Sequence, residues 1–208
     1  MEPTKIELEI MAAAKQLFLE KGFAATSTTD IARKAGCNQA LIHYYYRTKE
    51  NLFEKIYLAE VNNTLSIIST ILDEPIEGLS IEEIIDRLID TYFLMLRDNP
   101  KVPFFLVQEL IINSERRESM RQLFILNPLR QEAYEKYKRL VYHLHEMGKI
   151  TDIDPFNLLI SVISLVATTF LSLPLYADLL QRTLAEQETY LSERKQEIKR
   201  MLISRLRP

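Results

Sequence analysis

Cysteine is nearly absent from the sequence: Cys37 is the only one among 208 residues. A single cysteine excludes a disulfide within the chain, and the absence of disulfides is typical of a reducing compartment. The first nine residues carry three glutamates before any apolar run, which is unlike a secretory signal peptide. These two features predict a cytoplasmic protein.

Glycine is also scarce. The four glycines each lie where a helical pattern of apolar residues stops: Gly22, Gly36, Gly78 and Gly148. Nowhere do two alternating apolar runs flank a hairpin signal, so the sequence offers no candidate pair of β-strands. With 47% apolar residues the chain can bury a substantial core. The sequence therefore predicts an all-α fold of about nine helices.

Motifs for catalysis and for metal binding are missing. There is no glycine-rich phosphate loop, no H-E-x-x-H and no G-x-S-x-G element. His43 has no second histidine nearby, which argues against a zinc site. We therefore expect no catalytic residue, no metal and no cofactor, and the chain is not expected to be an enzyme.

The net charge of −3 argues against a protein that coats nucleic acid over its whole surface. The charge is unevenly distributed along the chain. Between Thr28 and Lys49, four basic residues and one acidic residue give +3, so the rest of the chain sums to −6. A basic segment in an otherwise acidic chain suits local contact with phosphates.

Residues 27–49 have the pattern of two short helices joined by a tight turn. Ser27 and the aspartate three residues later form a capping box at the start of the first helix. Gly36 can adopt the left-handed conformation that ends this helix, and Asn38 can cap a second helix over 39–45. Helix, glycine turn and helix form the helix-turn-helix motif, whose second helix enters the major groove of DNA.

Further details of this segment can be predicted from helical spacing. Ile42 is expected to be the inward residue of the second helix, and Tyr46 is expected to pack inside as well. Cys37 is expected to be a small buried residue in the turn. Thr48 is placed to cap the next helix.

Apolar periodicity and proline positions place the other helices. They are predicted over 5–21, from Thr48 to about Leu72 with Pro75 as the boundary, from Ser80 to about Asn99, from Pro100 and Pro103 to about Ile111, from about Pro128 to Met147, over 155–177, and from about Gln187 to Leu206. The charged residues 113–119 are predicted to form a bend.

Residues 155–177 carry no charge, and 23 residues are long enough to span a bilayer. Against a membrane span, a stripe of mostly small polar residues follows one side: Asn157, Ser161, Ser164, Thr168 and Ser172. No basic cluster flanks either end, and Pro174 interrupts the segment, so a buried packing helix is favoured. This helix and the last one need more apolar partner surface than one chain provides, which predicts a homodimer through about 155–173 and 187–206.

A family pattern covers the N-terminal residues. Its positions are Ala13-Ala14, Leu17-Phe18, Gly22-Phe23, Thr26, Ile31-Ala32, Ala35-Gly36, Thr48-Lys49-Glu50 and Leu52. This pattern resembles the TetR family of bacterial transcriptional regulators. The resemblance implies a three-helix DNA-binding head over 1–50 and a larger helical body for ligand binding and dimerisation over 51–208.

The resemblance also implies a mode of action. Such proteins are homodimers that bind a palindromic double-stranded DNA operator, most often as repressors, and that release it when a small molecule enters the body. A helical ligand carrier or enzyme with a vestigial head is the alternative, and an activator is compatible with the same fold.

Carried over position by position, the family's operator contacts fall at Thr28, Thr29, Asn38, Gln39, Ala40, Leu41, His43, Tyr44, Tyr45 and Lys49. Threonine hydroxyls at a helix N-terminus suit phosphate oxygens, glutamine pairs with adenine, and Lys49 can reach a phosphate. The sequence departs from the pattern at His43, where tyrosine is usual, and at Ala40, where glycine is frequent. A methyl group at Ala40 still leaves the backbone amide available for phosphate.

An effector pocket is predicted among bulky residues of the body: Tyr92, Phe93, Phe104, Phe105, Gln108, Glu109, Tyr134, Tyr137 and Phe170. Aromatic residues at helical spacing are more often core than pocket. Together with Gln108 and Glu109 inside an apolar run, however, they suit a cavity with a few polar anchors. An apolar or aromatic effector is expected, and Glu109 is a candidate either for a cation or amine or for a hydrogen bond between packed helices.

Overall fold

The computed structural model describes residues 4–73 and 78–208, and within those ranges it has ten α-helices and no β-strand. The helices are α1 Lys5–Lys21, α2 Thr28–Ala35, α3 Gln39–Tyr46, α4 Lys49–Asp73, α5 Ile81–Asp98, α6 Val102–Ile112, α7 Ser114–Ile125, α8 Pro128–Glu146, α9 Pro155–Leu179 and α10 Leu184–Leu206. The predicted all-α class is confirmed. The expected number of nine is one too low because α7 was not foreseen.

Most helices begin and end at the residues that the sequence indicated. Thr4 accepts a hydrogen bond from the Glu7 amide at the start of α1, and Gly22 ends that helix with a φ of 79°. Ser80 and Glu83 form a complete capping box at the start of α5. Such pairs satisfy amides that would otherwise lack a partner in the first helical turn.

Three boundaries differ from the prediction. Residues 113–119 are not a bend, because α7 runs through them after Asn113 accepts hydrogen bonds from two amides of its first turn. Pro174 does not interrupt α9, which continues to Leu179, since a proline inside a helix removes one hydrogen bond without necessarily ending it. The last helix begins at Leu184, behind a capping box of Thr183 and Glu186. Pro75 lies outside the described residues.

The chain divides into two compact units. Unit 1 comprises Met1–Asn63 and Phe104–Met120, and unit 2 comprises Thr64–Pro103 and Arg121–Pro208. Helix α4 contributes its first part to unit 1 and its last part to unit 2. The functional division at residue 50 that the sequence suggested stays a prediction.

Aromatic side chains build much of the core of unit 1. Phe53 of α4 meets Phe18 and Phe23 with ring centroids 4.9 Å apart in each case and steep angles between the rings. Phe105 of α6 lies 5.4 Å from Phe53 and 6.0 Å from Tyr57. Edge-to-face contacts of this kind add to the stabilisation from burial. Phe23 therefore folds back over the core of unit 1.

Unit 2 is a bundle in which α9 packs against α5, α8 and α10, and α10 also packs against α5. Ile85, Val166 and Ile198 are fully buried at its centre. On its surface, the Lys199 ammonium lies 3.1 Å from carboxylate oxygens of both Asp86 and Asp90, which ties α10 to α5.

Helix α9 is the one helix, among those described, that is long and apolar enough to cross a membrane. Only its length and composition suggest a membrane span, and core helices of soluble proteins have the same two properties. In unit 2, α9 buries one face in the bundle. Along the rest of the helix, Asn157, Ser164 and Thr168 of the polar stripe are exposed, as are Phe156 and Ile160.

Candidate nucleic-acid interface

Helix α2 is held by the cap and the turn that its sequence predicted. The Ser27 hydroxyl oxygen accepts a hydrogen bond from the Asp30 amide at 3.1 Å and donates to the Asp30 carboxylate at 2.6 Å. This hydrogen bond from Ser27 lowers the pKa of Asp30 below its ordinary value. At the other end Gly36 adopts φ 65° and ψ 31°, the left-handed conformation that a side chain disfavours.

Helix α3 begins with Asn38 as its cap. The Asn38 side-chain oxygen accepts a hydrogen bond from the Ala40 amide at 2.9 Å, so the capping role predicted for Asn38 is confirmed. The same contact corrects the expectation that the Ala40 amide is free for a phosphate, because Asn38 already uses it. The Asn38 side-chain NH₂ group is left to donate elsewhere.

The outward side of α3 carries four of the ten predicted DNA contacts. They are the exposed residues among those predicted within the helix itself: Gln39, Ala40, His43 and Tyr44. They lie at helical spacing on one face, opposite Ile42 and Tyr46, which are both buried as predicted. Leu41 and Tyr45 are half-buried. The helix therefore presents a mixed polar and aromatic face of the kind that can reach base edges in a groove.

The Gln39 amide is held by α2. Its Nε2 donates to the Thr28 hydroxyl at 2.7 Å, and the Thr29 hydroxyl donates to its Oε1 at 3.4 Å. Thr28 is half-buried, whereas Thr29 is exposed. The structure thus brings together three residues that the sequence predicted as separate DNA contacts.

The three consecutive tyrosines at the end of α3 have different environments. Tyr44 is 72% exposed. The Tyr45 oxygen accepts a hydrogen bond from the Thr4 hydroxyl at 3.1 Å, and the Tyr46 hydroxyl donates to the backbone oxygen of Glu7 at 3.1 Å. Burial raises the pKa of Tyr46 well above its ordinary value. Tyr45 and Tyr46 therefore tie α3 to α1, and Tyr44 is the tyrosine best placed to meet DNA.

His43 and the turn that follows α3 are linked. The His43 Nδ1 lies 3.1 Å from the backbone oxygen of Arg47. Because a carbonyl oxygen only accepts, Nδ1 is the donor in this contact. Arg47 itself has a φ of 68°, and the Thr48 amide donates to the Tyr46 oxygen at 2.8 Å across it.

This three-residue turn was not predicted, since a non-glycine residue rarely adopts positive φ and the segment contains no glycine. Such a conformation costs on the order of 1–3 kcal/mol, so the surrounding contacts must hold it in place.

Lys49 makes contacts within the chain that the sequence did not indicate. Its ammonium donates to the backbone oxygens of Phe23 and Thr26, each at 3.0 Å, and lies 4.1 Å from the centre of the Phe23 ring. One of its three N–H donors remains for a phosphate. The residue therefore joins the start of α4 to the loop before α2, in addition to its predicted role.

Cys37 is half-buried, not fully buried as predicted. Desolvation raises the pKa of its thiol, so the side chain behaves as a small apolar group in the turn.

The residues predicted to line an effector pocket fall into both units. In unit 1, Phe105 and Glu109 are buried, whereas Phe104 and Gln108 are exposed. In unit 2, Tyr92, Phe93, Tyr137 and Phe170 are buried and Tyr134 is half-buried. Phe93 meets Phe170 at 4.9 Å, and the Tyr137 hydroxyl donates to the Pro155 oxygen at 3.1 Å. These are contacts of core residues, and a pocket among them stays a prediction.

One charged cluster of unit 1 was missed by the sequence analysis. The Arg116 guanidinium forms ion pairs with Glu109 and with Glu54, whose Oε2 is 3.3 Å from Nε. The guanidinium also lies over the rings of Phe53 and Tyr57, at 4.3 and 5.4 Å from their centres. Glu109 is only 8% exposed. Of the two roles predicted for it, its contacts favour a polar contact between packed helices over binding of a cation or amine. No sequence signal could have paired these residues, which come from three helices.

Comparison with known proteins identifies related sequences. The family model described as "Bacterial regulatory proteins, tetR family" matches residues 10–56, which cover most of α1, α2, α3 and the first turns of α4. The helix-turn-helix type transcriptional regulator YfiR of Bacillus subtilis (strain 168) is 25% identical over 164 residues, or 73% of this chain and 71% of that protein.

Solved structures share the fold over nearly the whole chain. A transcriptional regulator of the TetR/AcrR family from Thermobifida fusca YX-ER1 matches with a TM-score of 0.60 and 25% identity, covering 94% of this chain and 95% of that one. The transcriptional regulator FadR from Bacillus subtilis, in complex with stearoyl-CoA, matches with a TM-score of 0.65 over 95% of this chain and 98% of that one. At 15% identity this second likeness concerns the fold.

Proposed function

We propose that this chain is a repressor of the TetR family that binds a palindromic operator as a homodimer and leaves it when a small molecule binds. The matching family model, the related regulators and the solved structures support the family assignment. The relatives are regulators of transcription, and this supports a role as a cytoplasmic DNA-binding protein, not an enzyme. In this proposal residues 1–50 read DNA and residues 51–208 bind the effector and the second subunit.

The observation that carries the proposal is the outward face of α3. Gln39, His43 and Tyr44 are exposed on one side of a helix whose start is capped and whose end is tied to α1. A helix fixed in this way can enter a major groove with little ordering cost. Such a face has no role in the core of unit 1, which favours a working head over a vestigial one.

The exposed apolar side of α9 supports a homodimer. Phe156, Ile160, Leu171 and Leu175 are each at least 40% exposed in the single chain. Large exposed apolar residues grouped on one helix mark interaction surfaces, and a two-fold pair would bury them against the same helix of a second subunit. Met201 on α10 is also exposed. Two heads about 34–36 Å apart would then read successive major grooves.

The effector is proposed to be apolar or aromatic. The predicted pocket residues are mostly aromatic, and the structurally similar FadR from Bacillus subtilis binds stearoyl-CoA, whose acyl chain is apolar. Effector binding would favour a conformation of α4 in which the two heads are wrongly spaced. Coupling of about 1–3 kcal/mol, or some 5- to 150-fold in affinity, is typical between two such sites.

Operator binding can be tested with a duplex selected from a random library by the wild-type protein. Gln39→Ala should lose discrimination at one base pair of each half-site, because it removes a base contact. Lys49→Ala should weaken binding to all duplexes by a similar factor, because it removes a phosphate contact. Lys101→Ala, which removes an exposed lysine of unit 2, is the matched control and should change neither.

Two results would contradict the proposal. One is a selection that enriches no sequence. The other is a Gln39→Ala variant whose affinity falls by the same factor for every sequence. Equilibrium sedimentation of the free protein checks the dimer separately, and a monomer at micromolar concentration would exclude that part of the proposal.

A further inference from the structure

The side chain of Gln39 is exposed, yet it does not project freely from α3. Its Nε2 donates to the Thr28 hydroxyl at 2.7 Å, and its Oε1 accepts from the Thr29 hydroxyl at 3.4 Å. An exposed glutamine ordinarily samples many rotamers, and it loses this conformational entropy when its amide binds a base in one rotamer. The short contact with Thr28 holds the amide in one place, and the longer contact with Thr29 orients its oxygen.

The hydrogen-bonding capacity of the amide shows what it can still do. A glutamine amide has two N–H donors and two acceptor positions on its oxygen. Thr28 takes one donor and Thr29 fills one acceptor position, so one donor and one acceptor remain. Adenine presents one acceptor, N7, and one donor, the N6 amino group, in the major groove. The remaining capacity of the held amide therefore matches adenine.

We infer that Thr28 and Thr29 are positioning residues that set the base discrimination of Gln39. They hold its amide so that the remaining donor and acceptor meet one adenine of the operator, and they act on specificity through Gln39. This inference rests on the proposed operator binding. It differs from the assignment that the resemblance implies, in which each threonine contacts the DNA by itself.

Hydroxyl-free variants of the two threonines separate these roles. Thr28→Val and Thr29→Val keep the branched shape and remove only the hydroxyl, whereas Thr28→Ser and Thr29→Ser keep the hydroxyl and serve as matched controls. Each variant is measured alone, and the double valine variant is also measured in the Gln39→Ala background. The readout is the dissociation constant for the selected duplex and for duplexes with each other base pair at the position that Gln39→Ala identifies. Circular dichroism and thermal melting of each full-length variant confirm folding.

A held glutamine is expected to favour its base pair by about 5- to 150-fold in the wild-type protein. The double valine variant should lose at least about threefold of that preference and change the affinity for unrelated DNA less than about twofold. The serine variants should keep the preference. In the Gln39→Ala background the valine substitutions should have no further effect on base preference.

Three results would contradict the positioning role of Thr28 and Thr29. If the double valine variant weakens all duplexes equally, and does so in the Gln39→Ala background as well, the threonines contact phosphates and the positioning role is wrong. If the valine variant keeps the full preference, the hydrogen bonds to Gln39 do not matter for reading. If the wild-type protein selects no sequence at all, the proposed function fails first, and this inference fails with it.

Discussion

Arg116 offers the sharpest test of how unit 1 is held together. Its guanidinium joins α7 to Glu109 of α6 and to Glu54 and Phe53 of α4. The side chains of Arg116 and Glu109 are both largely buried. The substitution Arg116→Met keeps most of the length of the side chain and its apolar contacts but leaves the Glu109 carboxylate buried without its partner.

The expected loss can be estimated from these contacts. Removing one member of a buried ion pair costs about 3–5 kcal/mol. The lost contact with the aromatic rings adds about 1 kcal/mol, whereas the partly exposed Glu54 adds about 0–1 kcal/mol. Together these contributions amount to about 4–7 kcal/mol. Because Arg116 keeps some contact with solvent, we expect Arg116→Met to lower the free energy of unfolding of unit 1 by an amount at the lower end of that range, about 4 kcal/mol.

The measurement is hydrogen exchange of α4 and α6 amides in the full-length protein, together with urea unfolding at pH 7. The double variant Glu109→Leu/Arg116→Met removes both charges and should lose only about 1 kcal/mol. Arg139→Met, which removes an exposed arginine of unit 2, is the control and should lie within about 0.5 kcal/mol of wild type. The loss in Arg116→Met should also shrink as the pH is lowered, because an unpaired buried carboxylate is disfavoured in its charged form.

An Arg116→Met variant within about 1 kcal/mol of wild type would show that this ion pair does not hold unit 1 together. A double variant no more stable than Arg116→Met would show that the loss does not come from the unpaired charge of Glu109.

Two further substitutions test the fold. Gly36→Ala should cost about 1 kcal/mol by thermal melting, because alanine is strained at a φ of 65° although open space surrounds the position; Gly36→Asn should cost less. Tyr57→Phe should leave the free energy of unfolding unchanged or raise it by about 1 kcal/mol, because the buried Tyr57 hydroxyl has no hydrogen-bond partner among the residues described. Burial raises the pKa of Tyr57 to about 12. Since this exceeds the ordinary value of 10, the wild type should lose stability as the pH rises from 10 through 12, and the variant should lack that contribution; an equal alkaline loss in both would contradict it.

Local signals in the sequence predicted the helix-turn-helix well. Ser27, Gly36 and Asn38 act on backbone groups within three or four residues of themselves, so their roles follow from position alone. Helix α7 was missed because its first part, 114–119, has no apolar stripe. Its start was nevertheless encoded by Asn113, which caps it. Its stability depends on contacts of Arg116 with other helices, and these are invisible in a single sequence.

The same distinction applies to the candidate interface. The outward residues of α3 could be predicted because helical spacing separates them from Ile42 and Tyr46. The contacts of Lys49 with the Phe23 and Thr26 oxygens could not, because they depend on where the loop before α2 lies. Contacts between elements distant in sequence require the folded chain.

Residues 104–120 share a compact unit with the helix-turn-helix, although all of α5 lies between them in the sequence. This arrangement constrains the construction of hybrid regulators. A graft that transfers only residues 1–50 to a foreign body would leave behind Phe53, and with it Phe105 and Arg116, which both pack against Phe53 in unit 1. A transplantable reading module from this protein would consist of two separate stretches of chain, and the recipient would have to accept both.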